Sequence, residues 1–313
     1  MLKSMLSLSV TQKASDLHLS SGEVARIRIN GQLQCVSNEK LSPLDLESEL
    51  LALLNESQKL QLQQDKQIDL AYQSPEIGRF RVNIFYQQRG ISAVFRMIKK
   101  QIPDLDEIGA PEVFKKLITH ESGIILVTGA TGSGKSTTLA SLIEYINSTQ
   151  SKHIITLEDP IEFIYHNQYS LIQQRELTNF DYALDSLLRQ DPDIILLGEL
   201  RNKKSIQTAL TVAETGHLVF ATLHTCSAIQ SINRIIDVFD ENSRNFIRTQ
   251  LSNNLRAIIS QKLILTKNGR KALFEVLINT HAVSNLINEG KIKQIISLMQ
   301  TGRQHGMQII TDQ

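Results

Sequence analysis

The chain has no uninterrupted apolar run approaching the ~18 residues that a membrane-crossing helix needs, so no helical span is expected. Cysteine is scarce as well. Cys35 and Cys226 lie far apart in sequence and neither belongs to a C-x-x-C pair, which leaves no cysteine-based zinc site and points to a reducing compartment, the cytoplasm. Neither sign of charge is in excess. With 33 basic residues against 32 acidic ones there is no molecule-wide field to gather nucleic acid, and no aromatic-rich basic segment offers a strand-binding platform. A local basic groove stays open. Internal repeats and low-complexity tracts are missing, and the serine-broken opening Met1–Val10, with no small-residue cleavage site, reads as a first helix and not as a signal peptide.

What is present is ordinary for a globular protein: 41% hydrophobic and 21% charged residues over 313 positions, a length that favours two domains. Residues 15–36 alternate in strand fashion around an Asn30-Gly31 turn signal. Leucines 46, 50, 53 and 54 predict a helix over 43–63. Gln67–Tyr72, Arg79–Tyr86 and Ile91–Ile98 predict further strands, together a small antiparallel sheet. The middle one places Arg79, Arg81 and Asn83 on one face and Phe80, Val82 and Ile84 on the other. Spacing alone does not decide whether that basic face is merely solvated or binds something. Residues 99–112 combine prolines, a glycine and charges, and form the expected linker between domains 1–98 and 113–313.

The second domain opens on the most informative stretch. Ile124–Val127 form an apolar strand run that leads into Gly129-Ala130-Thr131-Gly132-Ser133-Gly134-Lys135-Ser136-Thr137 and then into a helical pattern. This is G-x-x-x-x-G-K-[ST] in the strand–loop–helix setting the motif requires, and it predicts a nucleotide-binding P-loop. The glycines let successive N–H groups turn towards phosphate oxygens, the helix adds the positive end of its dipole, Lys135 neutralises the β- and γ-phosphates, and Ser136 holds Mg²⁺. Strands at His153–Leu157, Asp193–Leu197 and Leu218–Leu223 alternate with helices at Tyr182–Gln190, Ser205–Thr215 and Ser227–Val238, predicting an α/β domain with a mostly parallel sheet. A long amphipathic helix is expected over 244–264, with Ile247, Leu251, Leu255, Ile258 and Ile259 on one stripe. A strand at Ala272–Ile278 and short helices broken at Gly290, Gly302 and Gly306 follow.

Ligands of such sheets bind at the carboxyl ends of the strands, so the acids and histidines there are the candidates for chemistry. Glu199 follows Asp-Ile-Ile-Leu-Leu-Gly and is the best candidate to orient water; Gly198 stands where a second acid is usual. Glu158, Asp159 and Glu162 either assist with Mg²⁺ or cap a turn. His217 and His224 bracket one strand and are candidates to sense the γ-phosphate or relay the subunit state; no third ligand accompanies them at metal spacing.

Gly-Ala-Thr-Gly-Ser-Gly-Lys-Ser-Thr-Thr, Thr-Leu-Glu-Asp-Pro-Ile-Glu, Arg-Gln-Asp-Pro-Asp-Ile-Ile-Leu-Leu-Gly-Glu-Leu-Arg and Thr-Gly-His-Leu-Val-Phe-Ala-Thr-Leu-His-Thr occur in this order. The set resembles the secretion-superfamily ATPases of type IV pili and type II secretion, and within them the pilus retraction (PilT-like) branch of twitching motility. Nearly the whole chain takes part, since Ser-Asp-Leu-His-Leu and Arg-Phe-Arg-Val-Asn with Val-Phe-Arg resemble the family's N-terminal domain. The resemblance implies a PAS-like α+β domain followed by a RecA-like P-loop ATPase domain. It also implies a P-loop over Gly129–Thr137, an Asp box with Glu158 and Glu162, catalytic Glu199, a His box of His217 and His224, and nucleotide-reaching arginines at Arg81 and Arg96. A homo-hexamer at the cytoplasmic face of the inner membrane is implied, working on a pilus platform protein, with a paralogous ATPase as a further partner and 99–112 as the hinge. The two cysteines cannot make the four-cysteine zinc site of the assembly branch, and the extra N-terminal domain of that branch is not expected here, which favours the retraction branch. In the retraction signature Ala282-Val-Ser-Asn-Leu-Ile-Asn-Glu289, however, Ser284 and Asn288 replace arginines. Four readings therefore stay open: a retraction motor, an assembly or type II secretion ATPase, an accessory nucleotide-binding subunit, and, least favoured by the balanced charge, a nucleic-acid motor.

Overall fold

The computed structural model describes residues 1–29, 31–98, 101–177, 187–266 and 269–310. They form two compact units, Met1–Gln101 and Ile102–Gln313.

The first unit runs α1 (Leu2–Thr11), β1 (Asp16–Ser20), β2 (Val24–Ile29), β3 (Gln32–Lys40), α2 (Pro43–Leu51), α3 (Glu56–Asp65), β4 (Gln67–Ser74), β5 (Gly78–Gln87) and β6 (Gly90–Ile98). Its strands pair antiparallel in the order β3-β2-β1-β6-β5-β4. The period of two works as the sequence reading expects: Phe80, Val82 and Ile84 are buried and pack with Leu17, Ile27 and Phe95 beneath the helices. The helix predicted over 43–63 is in fact two. Asn55 accepts from the Gln58 N–H while Gln58 reaches back to the Asn55 N–H, a capping box that restarts the chain as α3 and outweighs the continuing leucine periodicity. Of the predicted 30–31 turn, Asn30 lies outside the described residues.

The second unit contains α4 (Val113–Leu117), β7 (Gly123–Thr128), α5 (Lys135–Thr149), β8 (His153–Glu158), β9 (Leu171–Glu176), β10 (Ile194–Leu197), α6 (Lys203–Glu214), β11 (Leu218–Leu223), α7 (Ala228–Asp237), α8 (Glu241–Asn254), β12 (Leu255–Thr266), β13 (Gly269–Ile278), α9 (His281–Asn288) and α10 (Ile295–Thr301). The sheet order is β13-β12-β7-β11-β10-β8-β9, parallel except for the β12–β13 hairpin. Successive residues of β7 serve opposite cores. Ile124 and Leu126 pack with α6, α7 and α8, whereas Ile125 and Val127 pack with Phe114, Leu142 and Ile143. Each such fully buried aliphatic side chain contributes about 1.5–3 kcal/mol, so the strand that carries the glycine loop is anchored on both faces.

Three expectations need correcting or bounding. The helix expected over 244–264 ends at Asn254, and Leu255, Ile258 and Ile259 lie on β12. Their spacing fits a helix stripe equally well. The strand wins because β7 on one side and β13 on the other supply a backbone ladder that local periodicity cannot register. The edge strand β9 has no counterpart in the sequence reading; its partly polar Leu-Ile-Gln-Gln-Arg-Glu has little apolar signal. Of the predicted 182–190 helix, only residues 187–190 lie among the described residues, and Leu188–Gln190 form a short 3-10 turn. Within the predicted linker, Ser141 Oγ donates to the Pro103 carbonyl at 2.6 Å and Leu105 is buried against Phe114, so 103–105 are packed into the second unit.

Candidate active site

Gly129 leaves the end of β7 with a φ of +149°, and a Cβ there would lie 2.5 Å from both the Gln261 carbonyl oxygen and Ser133 Oγ. Gly134, at φ +92°, is the N-cap of α5, and a Cβ would come 2.8 Å from Gln261 Nε2. Gly129 has no room for a side chain against that backbone oxygen, and at Gly134 the positive φ would strain one. Among the described residues no side chain caps α5, which leaves its first-turn N–H groups available to an anion. Lys135 is buried at 8% exposure and turns back on its own loop, donating to the carbonyls of Gly129 at 2.8 Å and Ala130 at 3.0 Å. Burial pulls its pKa below the ordinary lysine value, against the opposing charges of Glu199 and Glu162. Ser133 Oγ is buried with no hydrogen-bond partner among the described residues. A buried lysine whose hydrogen bonds among the described residues go only to loop carbonyls, an orphaned hydroxyl and an uncapped helix start all fit a phosphate chain with its metal. Ser136 and Thr137 stand half-buried on the first turn, while Ala130, Thr131 and Gly132 form the exposed tip.

Glu199 lies at the carboxyl end of β10, one strand away from β11 and two from β7. Its Oε1 is 3.2 Å from His224 Nε2, and His224 Nδ1 is 3.4 Å from Thr131 Oγ1, so one imidazole joins the acid to the loop tip. Arg201 Nε donates to Glu199 Oε2 at 2.8 Å and its guanidinium reaches Asp159 Oδ2 at 3.4 Å. Burial alone would raise the Glu199 pKa, but the hydrogen bond and charge of Arg201 together with His224 outweigh it and hold the carboxyl below its usual range. Gly198, where a second acid is usual, has a structural reason: a Cβ would lie 3.2 Å from the Leu157 carbonyl and 3.4 Å from Glu158 Cα on the neighbouring strand end.

Other candidates are placed differently. Glu158 Oε1 accepts from Thr156 Oγ1 at 2.7 Å and from Gln174 Nε2 at 3.2 Å. Burial first, and the charge of Glu162 second, raise its pKa despite those bonds. His217 is not brought to the loop within the chain. It sits at the amino end of β11, where the Gly123 N–H donates to its carbonyl, and its Nδ1 lies 3.2 Å from the Val212 carbonyl near the end of α6. Six residues of strand at about 3.3 Å each separate it from His224. Sequence neighbourhood paired the two histidines; strand length divides them.

Arg81 and Arg96 stand opposite each other on the outer face of the first unit, in a lateral row Arg28–Asp16–Arg96–Arg81. Arg96 Nε donates to Asp16 Oδ1 at 2.9 Å, and Arg81 lies 3.8 Å from Asp69. Burial opposes it, yet Ser15, Arg96 and His18 lower the Asp16 pKa. The sequence reading assigned nothing to Arg201 or Gln261. Gln261 was hidden inside the expected helix, although an isolated Ser-Gln in the run Ala-Ile-Ile-Ser-Gln-Lys-Leu-Ile-Leu marks a break worth noticing. Among the described residues no group of three or more His, Cys, Asp and Glu could hold a metal, and no helix is long and apolar enough to cross a membrane.

A glycine loop between a central parallel strand and an uncapped helix, faced by a carboxylate from a nearby strand end, places the second unit in the P-loop nucleotide-binding class. The chain belongs to the family described as type II/IV secretion system protein, which it matches over residues 1–313. It is 44% identical over 311 residues to the type IV pilus retraction ATPase PilT of Pseudomonas aeruginosa, covering 98% of this chain and 90% of that one. The uncharacterised protein YggR of Escherichia coli is 47% identical, with 98% and 94% covered. Among solved structures, the pilus retraction motor PilT with bound ADP superposes with a TM-score of 0.90 at 42% identity, covering 95% of this chain and 89% of that one.

Proposed function

We propose that the protein is an ATP-hydrolysing motor of type IV pilus retraction, working as a cytoplasmic homo-hexamer at the inner-membrane pilus platform and driving domain motion by turnover. The observation that carries this reading is the chain of contacts Thr131–His224–Glu199, which ties the acid at the end of β10 to the phosphate loop. Glu199 orients and activates the attacking water; His224 holds it in register with the loop. Lys135 exchanges its bonds to the Gly129 and Ala130 carbonyls for the β- and γ-phosphates, and the loop N–H groups take the remaining charge. Mg²⁺, when bound, neutralises phosphate charge, and Ser136 is its proposed ligand from the chain. Glu158 fits that role less well, since its Oε1 is engaged twice and its burial favours the neutral acid. Arg81 and Arg96 supply, on this reading, further positive charge to the phosphates.

Arg201 sets the pH range in which Glu199 works. A carboxylate base loses activity as pH falls through its pKa, and Arg201 lowers that pKa, so Arg201→Ala raises it. The acid limb of the kcat profile moves to higher pH in Arg201→Ala; an unmoved limb in steady-state phosphate release would refute this assignment.

A second reading, a nucleotide-binding accessory of a paralogous ATPase, has one observation in its favour. At the positions of the two replaced arginines, Ser284 Oγ donates to the Ser252 carbonyl at 2.9 Å and Asn288 Oδ1 accepts from Thr249 Oγ1 at 3.0 Å, so both face α8. Deleting the gene in its native host and complementing it with wild type or Glu199→Gln separates the readings. A retraction motor leaves excess surface pili and no twitching, cured by wild type alone. Bald cells would mean assembly, and an unchanged pilus count an accessory role.

A further inference from the structure

Gln261 is 5% exposed and lies on β12 immediately after Ser260, whose partner across the sheet is Thr128, the last residue of β7. Both ends of its amide are used. Nε2 donates to the Ser133 carbonyl at 2.6 Å, and Oε1 accepts from Thr138 Oγ1 at 2.7 Å. A carbonyl can only accept, so the bond to Ser133 settles which end of the amide faces the loop. The same residue closes on two loop glycines, its main-chain oxygen on Gly129 and its Nε2 on Gly134. One side chain therefore spans the last turn of the loop and the first turn of α5.

The consequence for the loop follows from peptide planarity. The Ser133 carbonyl and the Gly134 N–H belong to one peptide unit and point in opposite directions. Holding the carbonyl against Gln261 aims the Gly134 N–H away from β12, towards the hollow of the loop where phosphate oxygens collect. Released from that bond, the peptide is free to rotate, and Gly134, with no Cβ, offers little resistance.

We propose that Gln261 is a positioning residue for phosphate binding, acting through the Ser133–Gly134 peptide and Thr138; this rests on the reading of the loop as the nucleotide site. The test is calorimetric titration of ADP into the full chain. Gln261→Met keeps the length and removes both hydrogen bonds. Gln250→Met is the control: Gln250 is an equally buried amide in α8, bonded to Gln207 at 3.0 Å and Glu214 at 2.8 Å, away from the loop.

Gln261→Met should weaken ADP binding about tenfold or more, while Gln250→Met leaves it at the wild-type level. Gln261→Glu supplies the readout that a purely structural role would not move. As a carboxylate it cannot donate to the Ser133 carbonyl; as a buried acid its pKa is raised, so affinity relative to wild type should recover between about pH 8 and about pH 6. Gln261→Met should show no such recovery. Wild-type affinity in Gln261→Met, or an equal loss in Gln250→Met, would overturn the proposal. Should Gln261→Met not fold, a flat pH response in Gln261→Glu would do the same. If the wild-type chain itself binds no ADP, the nucleotide-site reading fails first, and the two failures are thereby told apart.

Discussion

Lys135→Ala abolishes ATP turnover, with phosphate release falling by about 10²–10³ or more, because the one side-chain cation inside the phosphate loop is removed from a site built on charge stabilisation. The stability readout is as informative as the rate. Burial depresses the Lys135 pKa, so holding the charge costs the ligand-free fold free energy at every pH below the unfolded lysine pKa. Alanine relieves that cost and forfeits the bonds to Gly129 and Ala130, two effects of opposite sign. The ligand-free variant should therefore melt close to wild type. The gain on adding nucleotide is what disappears: at 100 times Kd the wild type gains about 2.7 kcal/mol, about 5–10 °C in Tm for a unit of this size, and the variant gains almost nothing. Thermal melts with and without ADP check this, and an undiminished shift would remove Lys135 from the phosphate site.

Glu199→Gln has the complementary signature. The amide keeps the size of the side chain and can still meet Arg201 or His224, but it cannot accept a proton from water. Turnover should fall by about 10²–10⁴ with ADP and ATP affinity changed far less. Parallel loss of affinity and kcat would mean that Glu199 supports the loop through His224 and Thr131 and is not the base. The two variants thus divide the site into a binding half on α5 and a water-orienting half at the ends of β10 and β11.

Much of this was legible in the residues because the features concerned are local. The strand–loop–helix around Gly129–Lys135 is written in glycines, apolar residues and a lysine within seventeen positions of one another, 123–139. The alternation of β5, the whole of β11 and the short tail helices follow from periods of 2 and 3.6 that need no partner to be read. The misreadings have a common cause. Ile247 to Ile259 satisfies a helical stripe throughout, and the switch to β12 at Leu255 comes from the ladders offered by β7 and β13, segments more than a hundred residues earlier and a hairpin later. Asn55 broke the 43–63 helix through a bond that competes closely with continuing it.

The loop, its lysine and the acid after β10 come from composition and order along the chain, since backbone turns and strand-to-helix steps are short-range properties of the residues that make them. Which groups meet there does not. Parallel strands bring carboxyl ends together and hold amino ends a strand length away, so His224 reaches Glu199 and Thr131 while His217 stays beside Gly123. For the same reason Gln261, 126 positions beyond Lys135, ends up against Ser133 and Thr138: side-chain contacts across a sheet are set by register and crossover, which only the folded chain brings into being.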